Sequence, residues 1–253
     1  MQKLQDMIAQ FRLHPYWELE MRLCPKNSDQ NTVSEDIFLS LYNLLLASSE
    51  EKIMEHDGRQ ALVDTFYERN IRCRCELGKK NVIQKLPKDK ITAECPQRDF
   101  RFQFTLKQEI PIEDVEYDPD YEDFDVKTAV PQFVRLQQVW TFVYKDRFAY
   151  VLKKVVQGKT REQACAQQEQ HEVELELLHH DSYLKSQSDD QIAQSFIEKT
   201  LDLCGRVDEN DVVEKLTLVF HDDMVPSLPK KQSTLNFEAD KKRRTKRKKS
   251  LEK

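Results

Sequence analysis

The sequence predicts a β-rich α+β domain, an antiparallel sheet of about eight strands with a few helices packed on it. Three observations carry this. Seven or eight segments alternate apolar and polar residues with period two, only three stretches show helical periodicity, and 253 residues fit one domain rather than two. Closing such strands into a barrel would remove their exposed edges.

Leu4, Ile8 and Phe11 mark a short amphipathic helix, after which Pro15 hands the chain to a strand over 16–23. Ser34 is an N-cap for a helix over 34–48 carrying Ile37, Phe38, Leu41, Leu44 and Leu45. Strand patterns follow at 61–66, 71–76, 82–86, 100–110, 134–144, 145–156 and 172–178, with a last at 213–220. Ser188 and Gln191 form a capping box ahead of Ile192, Phe196 and Leu203, and Gly205 reads as that helix's stop. Residues 113–125 hold eight acids and Pro119, too little apolar content to pack, so an acidic mobile loop is expected over about 113–130. The domain should span 1–225, with a flexible basic tail over 226–253.

Composition removes several function classes. No apolar run reaches 18 residues and no signal-peptide core opens the chain, so an intracellular protein without a membrane partner is expected. Six cysteines form no CxxC pair and are expected as reduced thiols. The four glycines build neither a P-loop nor a dinucleotide loop. No cysteine has the context of a phosphatase nucleophile, and no lysine motif resembles a nucleotidyl-transfer site. The net charge of −5 conceals nine Lys/Arg and one Glu in residues 241–253, which leaves −13 on the preceding 240 residues. An acidic body is a poor general nucleic-acid binder, so any RNA contact should be local.

The chemistry lies in which residues share a strand face. In WELEMRL at 17–23, Glu18, Glu20 and Arg22 lie opposite Trp17, Leu19, Met21 and Leu23. In HEVELELL at 171–178, Glu172, Glu174 and Glu176 lie opposite Val173, Leu175 and Leu177. Arg101, Gln103, Thr105, Lys107 and Glu109 share one face, as do Arg72 and Arg74, and Lys145 and Arg147. Alternation cannot say which face points inward, and a half-buried sheet with a solvated face is its simplest reading. Segregation tips the balance: the acids concentrate in two distant strands and the bases in others. Glutamates at about 4 Å repel by roughly 4 kcal/mol at an effective dielectric of 20. Such clusters are tolerated when exposed or when a hard divalent cation neutralises them, and bases beside them suit a triphosphate.

The two glutamate strands resemble the signature strands of the triphosphate tunnel metalloenzymes. Within that family the resemblance is closest to the metal-dependent RNA triphosphatases of fungi, protozoa and large DNA viruses, with IRCRCE at 71–76, the Lys85 strand, DFRFQFTLKQEIP at 99–111 and KDRFAY at 145–150 in the expected order. Compact size and a basic tail are most similar to the stand-alone trypanosomatid enzymes. The resemblance implies a closed antiparallel barrel of about eight strands around a hydrophilic tunnel, with helices outside. It implies that Glu18, Glu20 and Glu176 hold Mg²⁺ or Mn²⁺, with Glu174 beside them and Glu172 on the same wall. Arg72 or Arg74, Lys85, Arg101, Lys107, Lys145 and Arg147 would grip the triphosphate, and Glu109 would orient the attacking water. The family aspartate on the strand after the Lys-x-Arg pair has no counterpart in Val151-Leu152-Lys153, which stays unassigned.

The implied activity is removal of the γ-phosphate from the 5′-triphosphate end of RNA, with a separate guanylyltransferase as partner. Rival readings are an inorganic tripolyphosphate or nucleoside triphosphate hydrolase of the same fold, and a non-catalytic transcription-machinery subunit, against which the retained glutamates argue. KKRRTKRKK at 241–249 reads as a nuclear import signal, giving a nuclear location. His179, His180, Cys73 and Cys75 read as structural residues rather than metal ligands.

Overall fold

The computed structural model describes residues 1–26, 31–51, 54–68, 71–76, 79–111, 128–207 and 216–221, without the side chains at 57, 75–76, 79–88 and 108–111. Its helices are α1 (Gln2–Leu13), α2 (Glu35–Glu50), α3 (Arg161–Cys165), α4 (Asp181–Ser186) and α5 (Asp189–Val207). Its strands are β1 (Trp17–Pro25), β2 (Glu55–Phe66), β3 (Ile71–Glu76), β4 (Lys79–Cys95), β5 (Phe100–Pro111), β6 (Phe133–Tyr144), β7 (Phe148–Gly158), β8 (Gln170–Leu177) and β9 (Val219–His221). The acidic segment at 113–125 and the basic tail lie outside the described residues, as do residues 213–215 of the last expected strand.

All strand pairings are antiparallel, in the order β3-β2-β6-β7-β8-β1-β5-β4-β9. β3, first in this order, also pairs with β4, from Ile71↔Gln84 to Glu76↔Lys79. The two glutamate strands, some 150 residues apart in sequence, are neighbours: Glu20 pairs with Glu176 and Arg22 with Glu174.

One face of this sheet is the core. Leu19, Met21 and Leu23 of β1, Phe102, Phe104 and Leu106 of β5, and Val173 and Leu175 of β8 are buried together with Leu4, Met7, Ile8 and Phe11 of α1. Phe38, Leu41 and Leu45 of α2 and Ile192, Phe196 and Leu203 of α5 complete it, with the Phe104 and Phe196 rings edge-to-face at 5.5 Å. The alternation therefore sends the glutamates to the sheet face away from the helices. The helix starts are held as expected: Ser34 Oγ accepts from the Ile37 amide at 3.4 Å, and Ser188 and Gln191 bond reciprocally at 2.9 and 3.2 Å.

Several features differ from the sequence reading, among them β2, which begins at Glu55 rather than at residue 61, and the last strand, which among the described residues is Val219–His221 alone. β4 runs for 17 residues through Pro87, whose missing N–H is accommodated at a register shift between Pro87 and Asp89. The strand expected from 145 begins at Phe148, because Lys145 and Asp146, both at φ 52°, form a tight turn closed by the Arg147 amide on the Tyr144 carbonyl at 3.1 Å. Gly205 lies within α5, which continues to Val207. α3 and α4, unforeseen, are single turns capped by Thr160 and His180.

Candidate active site on the polar sheet face

β1 and β8 bring three carboxylates together. Ligand oxygens of Glu18, Glu20 and Glu176 lie within 4.8 Å of one another. Glu20 is buried; one of its oxygens takes the Lys107 ammonium, while Oε2 is buried without a hydrogen-bond partner. Burial, then the Glu18 charge, pushes the Glu176 carboxyl well above the usual carboxylate range. An unsatisfied buried carboxylate oxygen beside a carboxyl that resists ionisation is a donor set short of a positive charge. A hard divalent cation fits it.

Glu174, expected beside the metal, is engaged by two cations. Its two oxygens receive Arg22 and Lys153, and Arg22 also reaches Glu20 at 3.4 Å. Burial pushes the Glu174 carboxyl up, but Arg22, Lys153 and Lys107 outweigh it and hold the group well below its ordinary range. Burial likewise opposes the charge of Lys153, and Glu174, Glu176 and Glu20 overcome it, raising its pKa. Glu174 is thus held by cations and lies outside the trio.

The other polar-face strands carry two further nodes. Glu172 is buried and paired with Arg135 of β6. Asp64 of β2 accepts from Arg74 at 2.9 Å and from Gln137 at 2.7 Å, with Arg72 at 3.6 Å. Burial raises the Asp64 pKa, but these arginines overcome it and lower it. The expected phosphate binders Arg72 and Arg74 thus stand pre-positioned on an anion, and Lys107 stands on Glu20.

Of the remaining expected residues, Arg101 lies beside Cys24, four register positions from Glu20 and so about 13 Å along the strands. The structure does not bring it to the trio. Lys145 and Arg147 lie in the exposed β6–β7 turn, with the Arg147 guanidinium over the Tyr183 ring of α4 at 4.7 Å. They leave the polar face because the hairpin reverses at these residues. The side chains of Lys85 and Glu109 lie outside the described set; their backbones are paired. His179 Nε2 is 2.9 Å from the Trp17 carbonyl oxygen and its ring stacks on Phe11, and His180 caps α4, so both histidines serve structure.

Sequence reasoning missed Lys153, Arg135, Asp64 and Gln137 as members of this face. A signal existed for two of them: Arg135 and Gln137 share parity in β6. Lys153 sits beside Lys154, and parity alone does not choose between them. Arg22 shares a face with Glu18 and Glu20 by alternation, but its contact with Glu174 of β8 depends on the strand pairing.

A cavity of about 480 Å³ opens where the trio lies, lined by Glu18 and Glu176 and also by Arg74 and Lys153. Carboxylates for a cation and cations for an anion therefore face one space. That arrangement can bind a metal–polyanion complex.

No family model matches the chain, and no curated protein sequence matches it. Its structure resembles that of the S. pombe RNA triphosphatase Pct1 at a TM-score of 0.61, with 14% identity over 80% of this chain and 91% of that one. The RNA triphosphatase domain of a trifunctional mimivirus mRNA capping enzyme matches at 0.56, with 10% identity over 82% and 96%. A further mimivirus capping-enzyme triphosphatase structure matches at 0.54, with 9% identity over 80% and 96%. At such identities the likeness is one of fold: a β-rich antiparallel sheet with few helices, shared over nearly the whole of those chains.

Proposed function

We propose that this chain is a metal-dependent RNA 5′-triphosphatase, removing the γ-phosphate from nascent RNA to leave a 5′-diphosphate for capping by a separate guanylyltransferase. The observation that carries this reading is the Glu18–Glu20–Glu176 trio, with Glu20 Oε2 unsatisfied, two members of which, Glu18 and Glu176, share a cavity with Arg74 and Lys153. The pairing of β3 with both β2 and β4 supports the expected barrel closed around a tunnel. The likeness to fungal and viral RNA triphosphatases supports the substrate class.

Glu18, Glu20 and Glu176 would hold Mg²⁺ or Mn²⁺, which when bound supplies positive charge against the phosphate oxygens. Arg74 and Lys153 reach the cavity while anchored on Asp64 and Glu174, so their positions are fixed before substrate enters. The planar Arg74 fork suits two phosphate oxygens at once. Lys107 fixes Glu20 from the β5 side, and Arg22 fixes Glu174 from β1. Glu109, two residues beyond Lys107 on β5, is proposed to orient the attacking water in line with the leaving oxygen. The products are inorganic phosphate and a 5′-diphosphate end.

Phosphate release from γ-labelled triphosphate RNA, with Mg²⁺ and then Mn²⁺, tests this. Turnover should vanish on chelation and fall by about 100-fold in Glu20→Gln, since an ion supplies several kcal/mol of transition-state stabilisation. Absence of release from RNA under both metals would overturn the reading. We further propose that the 241–249 run directs nuclear import; deleting 241–253 should reduce nuclear accumulation while leaving turnover in vitro within about twofold.

A further inference from the structure

The cavity holding Glu18 and Glu176 has two kinds of wall. Leu62 of β2, Val139 of β6 and Val151 of β7 are buried and packed with Ala149 into an apolar cluster separate from the main core. They sit on the polar face: Leu62 pairs with Gln137, and Val151 with Glu174. Leu62, Val139 and Val151 line the cavity together with the two glutamates, Arg74 and Lys153. Tyr16, two residues before Glu18, also lines it and is 50% exposed.

An inorganic polyphosphate is charged along its whole length, and placing it against leucine and valine strips its water without compensation. An apolar wall in the same cavity as Glu18, Glu176, Arg74 and Lys153 suits an occupant with two ends, one anionic and one flat and weakly polar. A nucleoside joined to its phosphates is such a molecule. The volume, about 480 Å³, is that of a small-molecule site. Tyr16, half-exposed on the lining, brings an aromatic ring to the same space as the phosphate-binding groups, and aromatic rings stack with any base.

We propose that Leu62, Val139 and Val151, with Tyr16 beside them, seat the first nucleoside of the substrate, so that the site selects nucleoside-linked phosphates over inorganic polyphosphate. This rests on the phosphohydrolase reading above. It gives the unassigned Val151–Lys153 segment two roles, with Val151 against the nucleoside and Lys153 toward the phosphates.

The test is calorimetric titration of the full chain, with Mn²⁺ present, using adenosine 5′-diphosphate and inorganic pyrophosphate as probes. The nucleotide should bind at least about tenfold more tightly than pyrophosphate, and Tyr16→Ala or Val139→Thr should each erase most of that margin, while Tyr16→Phe keeps it. Equal affinities in the unmutated protein, or parallel losses for both probes in the variants, would overturn the proposal and leave the wall as packing. Turnover of triphosphate RNA, followed alongside, separates the two readings. Nucleotide-selective binding without turnover removes the hydrolase alone; turnover without selectivity removes the nucleoside seat alone.

Discussion

Glu174 and Glu176 lie two residues apart on one face of β8, yet their carboxyls are driven in opposite directions. Burial weighs on both. Beside Glu174 it is overcome by Arg22, Lys153 and Lys107; beside Glu176 it is reinforced by Glu18. The raised group favours its protonated form in the folded state. Its contribution to stability is complete below the unfolded value of about 4.3 and is lost as pH rises through the folded pKa. Metal-free protein should therefore lose melting temperature as pH rises above about 4.3, and Glu176→Gln should flatten that loss; equal slopes in EDTA-treated samples would contradict it. Asp64 and Glu174 act with the other sign and only in acid, since lowered carboxyls give stability that disappears as pH falls through their folded pKa. Glu-x-Glu spacing fixes a common face within each of the two strands, so the glutamates were legible as two groups; singling out Glu18, Glu20 and Glu176 came from the family resemblance, and the β1–β8 pairing that brings them together needed the fold. The clamp on Glu174 was not legible, because Lys153 is supplied by a strand whose sequence, Val151-Leu152-Lys153-Lys154, shows no unique charged parity.

Whole elements were legible where periodicity ran long. α1, α2 and α5, and the strands β1, β3, β5, β6 and β8, lie close to their expected places because one face of each is apolar over several repeats. Errors fell where the turn chemistry was unusual. Lys145-Asp146 turns in a left-handed conformation without the Asn or Gly that marks such hairpins, so alternation alone carries the strand back to residue 145 and places Lys145 and Arg147 on its face rather than in the turn. Two glycines show how local packing decides what sequence alone leaves open. A Cβ at Gly158, at the end of β7, would lie 2.6 Å from the Ala164 backbone nitrogen of α3, whereas among the described residues one at Gly205 would meet only Leu216 at an ordinary 3.6 Å. Gly158→Ala should cost about 1–3 kcal/mol through forced displacement of backbone. Gly205→Ala, inside α5, should gain up to about 1 kcal/mol from helix propensity. Urea unfolding of both variants checks the pair, and a neutral Gly158→Ala would mean that α3 yields without cost.

At the scale of the molecule, one sheet serves two media: an apolar face under three helices and a polar face lined with ions, separated by a single residue step along each strand. Glu176 and Leu175 are the sharpest pair for testing this, since they are adjacent in β8 and meet Glu20 and Met21 of β1 on opposite faces. A cation held by the trio binds only the folded chain, so at 100 times its dissociation constant it should stabilise by about 2.7 kcal/mol. Glu176→Gln removes one charged ligand while keeping shape. Most of that metal increment should vanish, while the metal-free variant melts no lower than the unmutated protein at neutral pH because repulsion from Glu18 has been relieved. Leu175→Ala instead empties fully buried volume and should cost about 2–5 kcal/mol with or without metal, leaving the increment intact. Denaturant melts of the three proteins, each with EDTA and with Mn²⁺, give the two effects separately. If the increment survives Glu176→Gln, the cation lies elsewhere. If it is lost in Leu175→Ala as well, the two faces are not independent, and the sheet cannot be treated as a rigid frame between a packed core and an ionic site.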